Sequence, residues 1–286
     1  MIPGSSIPTG VGLAQVLHRL ALAVECVDGF TGQLSHIAVR AGREVPGRLL
    51  SVRFDPSWPL LDLDGTGVAQ FRLRHRPDLP NTVTVRLAEA ARRFVPRRLV
   101  IPLWTLVEVA AADLGTAGAV PVPVPVRSRL VRCWLLPGSA YSLPRGVTGI
   151  RGRVVRAGVP VRWPRVTAFE AGIPVGWAHG DERGEFLLPI VDSAILPPPA
   201  KLDLQLAVTA PDPAHPTPVD PDDRYADLVA EDVARSAAPP LPADLDNDLL
   251  RGRTTPAGYV RSAAPPPQLA VRPGELVTAR DIAFTV

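Results

Sequence analysis

The chain is short of cysteine, lysine and aromatic residues, and each shortage excludes something. Two cysteines in 286 residues, Cys26 and Cys133, cannot staple a disulfide framework, so the fold must rest on a hydrophobic core. Cys26 shares a strand face with Leu22 and Val24 and reads as a buried thiol, with a bridge to Cys133 as the alternative. Aromatics make up 5% of the chain and the net charge is only +3, with no basic run interleaved with rings. That pattern argues against nucleic acid as a partner. No C-x-x-C, H-E-x-x-H, G-x-S-x-G or phosphate-loop motif occurs. The most apolar stretch, Leu99 to Val126, is broken by Pro102, Glu108, Asp113, Pro121, Pro123 and Pro125. No run of about 20 apolar residues remains to span a membrane as a helix. Met1 to Gln15 lacks the charged and apolar regions of a secretory signal. The expected location is therefore the cytoplasm, or a particle assembled there and released on lysis.

Proline and arginine are what the chain has in excess. There are 34 prolines, more than twice the usual share of roughly 5%. Each fixes φ and removes a backbone donor, which confines helices and central strands to the gaps between them. Lys201 is the only lysine. An arginine-rich chain reflects either coding bias or contact surfaces that use the two-pronged guanidinium.

Residues 1–18 read as a Gly/Ser/Pro arm. From Leu20 the pattern alternates: Leu20, Leu22, Val24 and Cys26 share a strand face, and Asp28-Gly29-Phe30-Thr31-Gly32 supplies a turn. Further period-two segments lie at His36–Arg40, Leu49–Phe54, Val68–Leu73, Thr82–Leu87 and Arg98–Leu103, separated by turns such as Asp64-Gly65-Thr66-Gly67. Short strands at this spacing, without a long amphipathic helix, predict a sandwich at 19–119. Val120–Val126 alternates valine with proline and reads as an extended linker at 120–126. A second sandwich is expected over 127–286, opening with Val131, Cys133 and Leu135 on one strand face.

In this second half four elements recur in order: Gly152-Arg153-Val154, Gly158-Val159-Pro160-Val161, Arg165-Val166-Thr167-Ala168 and Asp181-Glu182-Arg183-Gly184-Glu185-Phe186. Pro273-Gly274-Glu275-Leu276-Val277-Thr278 follows near the end. Together they resemble the carboxypeptidase regulatory-like family. The resemblance implies a transthyretin-like β-sandwich, with Phe186, Val154 and Val166 in its core. The first half carries imperfect echoes of the same elements. The expected fold class is thus all-β: two tandem transthyretin-like or Ig-like sandwiches with Pro-rich extended arms.

Residues 211–267 stand where the family has a short turn, and they read as an acidic, Pro-rich insertion. Ten acidic residues from Asp212 to Asp248 face only Arg224 and Arg235. Leu228, Val229 and Val233 have near-helical spacing and suggest a short helix. The carboxylate pairs Asp222, Asp223 and Glu231, Asp232 read as solvated. Arg92, Arg93, Arg97 and Arg98 form the densest basic cluster. It is either a solvated turn or a dock for the acidic insertion of the same or a neighbouring chain. The expectation is that the insertion is mobile alone and becomes ordered on a neighbouring subunit, with Leu228, Val229 and Val233 as apolar anchor. Replacing residues 213–263 by a short linker is then expected to leave the monomer folded.

His179 and Glu182 match the H-x-x-E zinc pair, and Asp244-Leu245-Asp246-Asn247-Asp248 suggests calcium. The first falls in a hairpin turn, and the second lacks the glycine and terminal glutamate of a calcium loop. No metal, cofactor or catalytic group is expected. The chain reads as a non-enzymatic structural or adaptor protein that meets other protein subunits through arms and strand edges. It is also similar to accessory proteins of phage tail-like contractile injection systems, which implies a cap, collar, baseplate or adaptor subunit. The alternatives are a stand-alone carbohydrate- or protein-binding module and an accessory subunit of an enzyme.

Overall fold

A computed structural model describes residues 20–36, 39–44, 70–77, 79–190, 201–219 and 223–286. The arm at 1–18, the strand at Leu49–Phe54, the turn at Asp64–Gly67 and Asp222 lie outside them. The fold is all-β, as the alternation predicts. Six strands come first: β1 (Leu20–Asp28), β2 (Arg40–Arg43), β3 (Gln70–Arg74), β4 (Thr82–Ala88), β5 (Arg97–Pro102) and β6 (Leu130–Leu135). Then come β7 (Gly149–Arg156), β8 (Val159–Pro160), β9 (Arg165–Glu170), β10 (Ile173–His179), β11 (Glu185–Pro189) and β12 (Leu202–Pro211). The last five are β13 (Ala230–Asp232), β14 (Tyr259–Arg261), β15 (Gln268–Val271), β16 (Leu276–Thr278) and β17 (Ile282–Ala283).

Among the described residues four sheets enclose two large cores. In the first sandwich, β3-β1-β6 faces β13-β5-β4-β2 over Leu22, Val24, Cys26, Leu87, Leu99, Ile101, Cys133 and Leu135. In the second, β10-β9-β12-β14, with β15 also on β12, faces β11-β7-β16, with β8 and β17 also on β7. Strand β12 shows why these residues form these strands. Leu202, Leu204, Leu206, Val208 and Ala210 are buried, and the residues between them are not.

Two segments sit elsewhere than the sequence reading put them. Strand β6, expected to open the second sandwich, pairs in parallel with β1 of the first, Cys26 opposite Cys133. Alternation reveals which face of a strand is buried; it carries no information about the partner strand. The stretch expected to form a short helix around Leu228 instead turns and runs into β13, which pairs in parallel with β5. The insertion from the second half of the chain thus closes a sheet of the first sandwich.

The turns follow the sequence more closely. Asp28 Oδ1 accepts from the amides of Phe30 (2.8 Å) and Thr31 (3.2 Å), and Gly32 takes φ 69°. In the tight turn that carries the chain from β10 in one sheet to β11 in the other, closed by a bridge between Gly180 and Phe186, Asp181 Oδ1 accepts from the amides of Arg183 (2.9 Å) and Glu185 (3.0 Å). Gly184 has φ 73°, and a Cβ there would sit 2.6 Å from the Val154 carbonyl oxygen, so only glycine fits. The helix α1 (Leu106–Leu114) was not anticipated, although Thr105 and Glu108 form a capping box at its start.

Phe186, Val154 and Val166 all lie in the second core. The Phe186 ring lies over Gly152 on β7, where an added Cβ would come within 2.7 Å of it. Phe186→Ala is expected to cost about 3–5 kcal/mol in denaturant unfolding. A loss below about 1 kcal/mol would show that the ring does not fill this core.

Candidate functional site

Strand β5 has the core-facing positions Arg97, Leu99 and Ile101. Period-two geometry therefore drives the Arg97 side chain inward, where it has no solvent exposure. A bare guanidinium there would be prohibitively costly, so its five N–H groups must all find acceptors. They do. Nε and Nη2 donate to Glu231 Oε1 (3.0 Å) and Oε2 (2.7 Å) on β13. Nη2 also reaches the Leu249 carbonyl (2.7 Å), and Nη1 reaches those of Leu250 (2.6 Å) and Trp134 (3.0 Å). Nη1 is also 3.4 Å from Cys133 Sγ.

Glu231 faces a second cation, Arg165 Nη2 at 3.3 Å, on β9 of the second sandwich. The buried acid thus joins the two sandwiches. Burial alone would raise its pKa, but Arg97 and Arg165 outweigh burial and hold it below the usual glutamate range. Burial raises both thiols, Cys133 to about 11. They are free, directly opposed across β1 and β6, and packed in the first core.

Residues 223–253 form a strap built on the same plan. Asp223 pairs with Arg86 of β4, which also binds Glu44; Arg98 joins Glu44 (2.7 Å) and donates to the Leu228 carbonyl (3.1 Å). Asp227 takes Arg162 in a two-pronged pair. Tyr225 and Leu228 pack with Ala88 of the first sandwich and Trp163 of the second. Val233 and Leu250 enter the first core. Arg235 stacks on Trp104, Arg251 on Trp134 and Arg253 on Trp177, at 4.1, 5.0 and 4.4 Å from the ring centroids.

The structure therefore brings Arg97 and Arg98 onto Glu231 and Leu228, and Asp223 onto Arg86, all within one chain. Val229 is half-buried and Asp232 is exposed, because strand alternation turns Asp232 away from Glu231. Arg92, at φ 60°, reaches Glu182 of the β10–β11 turn (2.6 Å), and Arg93 pairs with Glu89 (2.9 Å). The expected docking of the insertion on a neighbouring subunit is thus corrected. The strap's described residues lie on this chain's own arginines, and they are packed rather than free. Sequence reasoning missed Arg162, Arg165 and the stacked tryptophans. The available signal was the pair Arg97-Arg98 in an alternating strand, which must turn one guanidinium inward.

The metal-like motifs are occupied by the same packing. His179 is buried, and its Nε2 donates to the Gly252 carbonyl of the strap (2.7 Å), while Glu182 faces Arg92. In the acidic run, Asp244 accepts from the Leu241 amide (2.8 Å), Asp246 pairs with Arg251, and Asn247 Oδ1 accepts from the Leu250 amide. Among the described residues no group of three or more His, Cys, Asp or Glu is arranged to hold a metal. Comparison of the chain with family models, curated proteins and solved structures returns no match.

Glu231→Ala is expected to cost about 3–5 kcal/mol, because it leaves Arg97 buried without its counter-charge. The double change Arg97→Met with Glu231→Leu is expected to recover only part of that loss in urea unfolding, because Arg165 still lacks its acid. A depressed folded pKa also fixes the sign of the pH dependence. The contribution of Glu231 is whole above the ordinary glutamate value of about 4.3 and is lost as pH falls through the folded value. The double variant should lack that part of the acid destabilisation. Replacement of residues 223–253 by a Gly/Ser linker is now expected to unfold the first sandwich, seen as loss of its cooperative transition.

Proposed function

We propose that this chain is a non-enzymatic structural or adaptor protein, two β-sandwiches locked into one unit that serves as a building block of a larger assembly. The observation that carries this reading is the strap, anchored by the buried Arg97–Glu231–Arg165 contact. It spends the chain's polar chemistry on joining the two sandwiches. The buried acids and bases support it as well. Asp28 accepts from the Tyr141 hydroxyl (2.7 Å), Asp181 from turn amides, and His179 is held by Gly252. Each is engaged with a structural partner, whereas a general acid or base must face a substrate. The cavity between Ile101, Trp104, Ser128, Arg129 and Val233, of about 20 Å³, has room for about one water.

Within this reading we place the chain as a cap, collar, baseplate or adaptor subunit of a phage tail-like contractile injection particle. That step rests on the resemblances seen in the sequence and on the suitability of rigid sandwiches as spacers in such particles. The test is sedimentation of lysate from cells carrying the gene with its native neighbours. The chain is expected in the large-particle fraction, and cells without the gene should yield particles that are incomplete. A chain that remains wholly in the low-mass fraction while particles assemble normally would refute the assignment.

A further inference from the structure

Three arginines are buried among the described residues: Arg86, Arg97 and Arg129. Two of them face carboxylates, Arg86 those of Glu44 and Asp223, and Arg97 that of Glu231. These acids outweigh burial and hold both guanidinium groups above the ordinary arginine range. Arg129 ends the 3₁₀ turn Val126–Arg129, is 4% exposed and forms no ion pair with a described residue. Its Nη1 and Nη2 donate to the carbonyls of Leu20 (2.7 Å) and Val124 (3.3 Å), which carry no charge. Burial therefore holds Arg129 below the ordinary range, and Asp113 on α1 offsets this only in part. It is a buried cation without a counter-charge.

Arg129 also lines the small cavity at one end of the first sandwich, where Leu22, Ile101, Leu103 and Val131 form apolar walls. The strap closes over them with residues 233–236. Three side-chain atoms of the lining residues are buried without a hydrogen-bond partner in the protein: Arg129 Nε, Ser128 Oγ and Trp104 Nε1. Ser128 is 5% exposed, so its hydroxyl has no recourse to bulk water. The two nitrogens can only donate, and the hydroxyl can donate as well. The acid on the lining, Asp244, is already engaged, since its Oδ2 accepts from the amides of Leu241 (2.8 Å) and Ala237 (3.1 Å). The acid that acts on Arg129 is Asp113, and it forms no ion pair with it.

We infer that this cavity binds a single chloride ion, held by Arg129 Nε, Ser128 Oγ and Trp104 Nε1 beneath the strap. A volume of about 20 Å³ admits one water-sized particle and excludes sulfate, phosphate and carboxylates. Water fits by size but not by bonding. It would accept from Arg129 and Trp104, yet it has two protons to place, and of the three groups only Ser128 can take one. It would also leave the guanidinium uncompensated among apolar walls, where a lone charge is most costly. Chloride accepts from all three donors and supplies the missing counter-charge. It does for Arg129 what Glu231 does for Arg97. The inference stands apart from the assembly reading, since either can fail without the other.

Urea unfolding of the full chain tests it, starting chloride-free in sodium gluconate and replacing gluconate by chloride at constant ionic strength. Gluconate is too large for the cavity. A ligand that binds only the folded chain stabilises it by mass action. The folded-to-unfolded ratio of wild type is therefore expected to rise about tenfold for each tenfold rise in chloride above its Kd. Arg129→Met should lose this response. Because that variant can fail to fold, Trp104→Phe is the second arm: it keeps a ring beneath Arg235 and removes one donor. Its chloride affinity should fall about tenfold or more, so the gap to wild type widens as chloride replaces gluconate. Wild-type stability that ignores chloride would overturn the inference and leave the cavity to water. So would an equal chloride response in wild type and Trp104→Phe, the mark of a general salt effect.

Discussion

A fully buried guanidinium on β5 is the constraint on which the rest of this structure depends. Once strand alternation has turned Arg97 inward, the first sandwich cannot close on apolar side chains alone. It needs a carboxylate and carbonyls at the right distances. Glu231 and the carbonyls of Leu249 and Leu250 come from the strap, and only the Trp134 carbonyl comes from the sandwich's own β6. Lysine could not do this. Its three donors on a point charge would satisfy neither the carboxylate fork nor the carbonyls behind it. Buried ion pairs seldom raise net stability over apolar packing, but breaking one is severe. We read this pair as a device of register: it admits β13 beside β5 in one alignment and penalises every other.

The same pair also links the two sandwiches. Glu231 also touches Arg165 on β9, and Gly252, two residues beyond Leu250, accepts from His179 at the end of β10. Around these polar contacts lie the small apolar cluster of Ala88, Trp163, Tyr225 and Leu228 and the Arg92–Glu182 pair. The abundance of arginine, which the sequence leaves open between coding bias and contact surface, has a structural use here. Three strap arginines stack on tryptophans drawn from both sandwiches. The proline clusters around the strap suit the same purpose, because they hold extended chain without asking it to enter a central strand.

Local features were legible in the sequence. The alternation of Leu202–Val208, the Asp28 turn and the Asp181–Phe186 turn depend on residues a few positions apart, and each forms as read. Long-range partners were not. Nothing local distinguishes Val131, Cys133 and Leu135 as neighbours of β1 rather than founders of a new sheet. Nothing in Ala230-Glu231-Asp232 announces a strand only three residues long, whose stability comes from Arg97 and Val100 far upstream. The acidic stretch looks solvated until Arg86 and Arg97, more than 100 positions upstream, are placed beside Asp223 and Glu231. Helix α1 was a different kind of miss, since the capping box of Thr105 and Glu108 is local and signals its start.

The central claim is that the strap is part of the first sandwich and opens only when that sandwich unfolds. Native-state hydrogen exchange tests it most directly. The Val233 amide donates to the Val100 carbonyl at 2.9 Å, which makes it a reporter of the β13–β5 contact. The account predicts that Val233 exchanges with the same opening free energy as the core amides of Leu99 and Ile101, and that all three respond in parallel to added denaturant. Exchange of Val233 at the rate of an exposed loop, with Leu99 and Ile101 still protected, would contradict it.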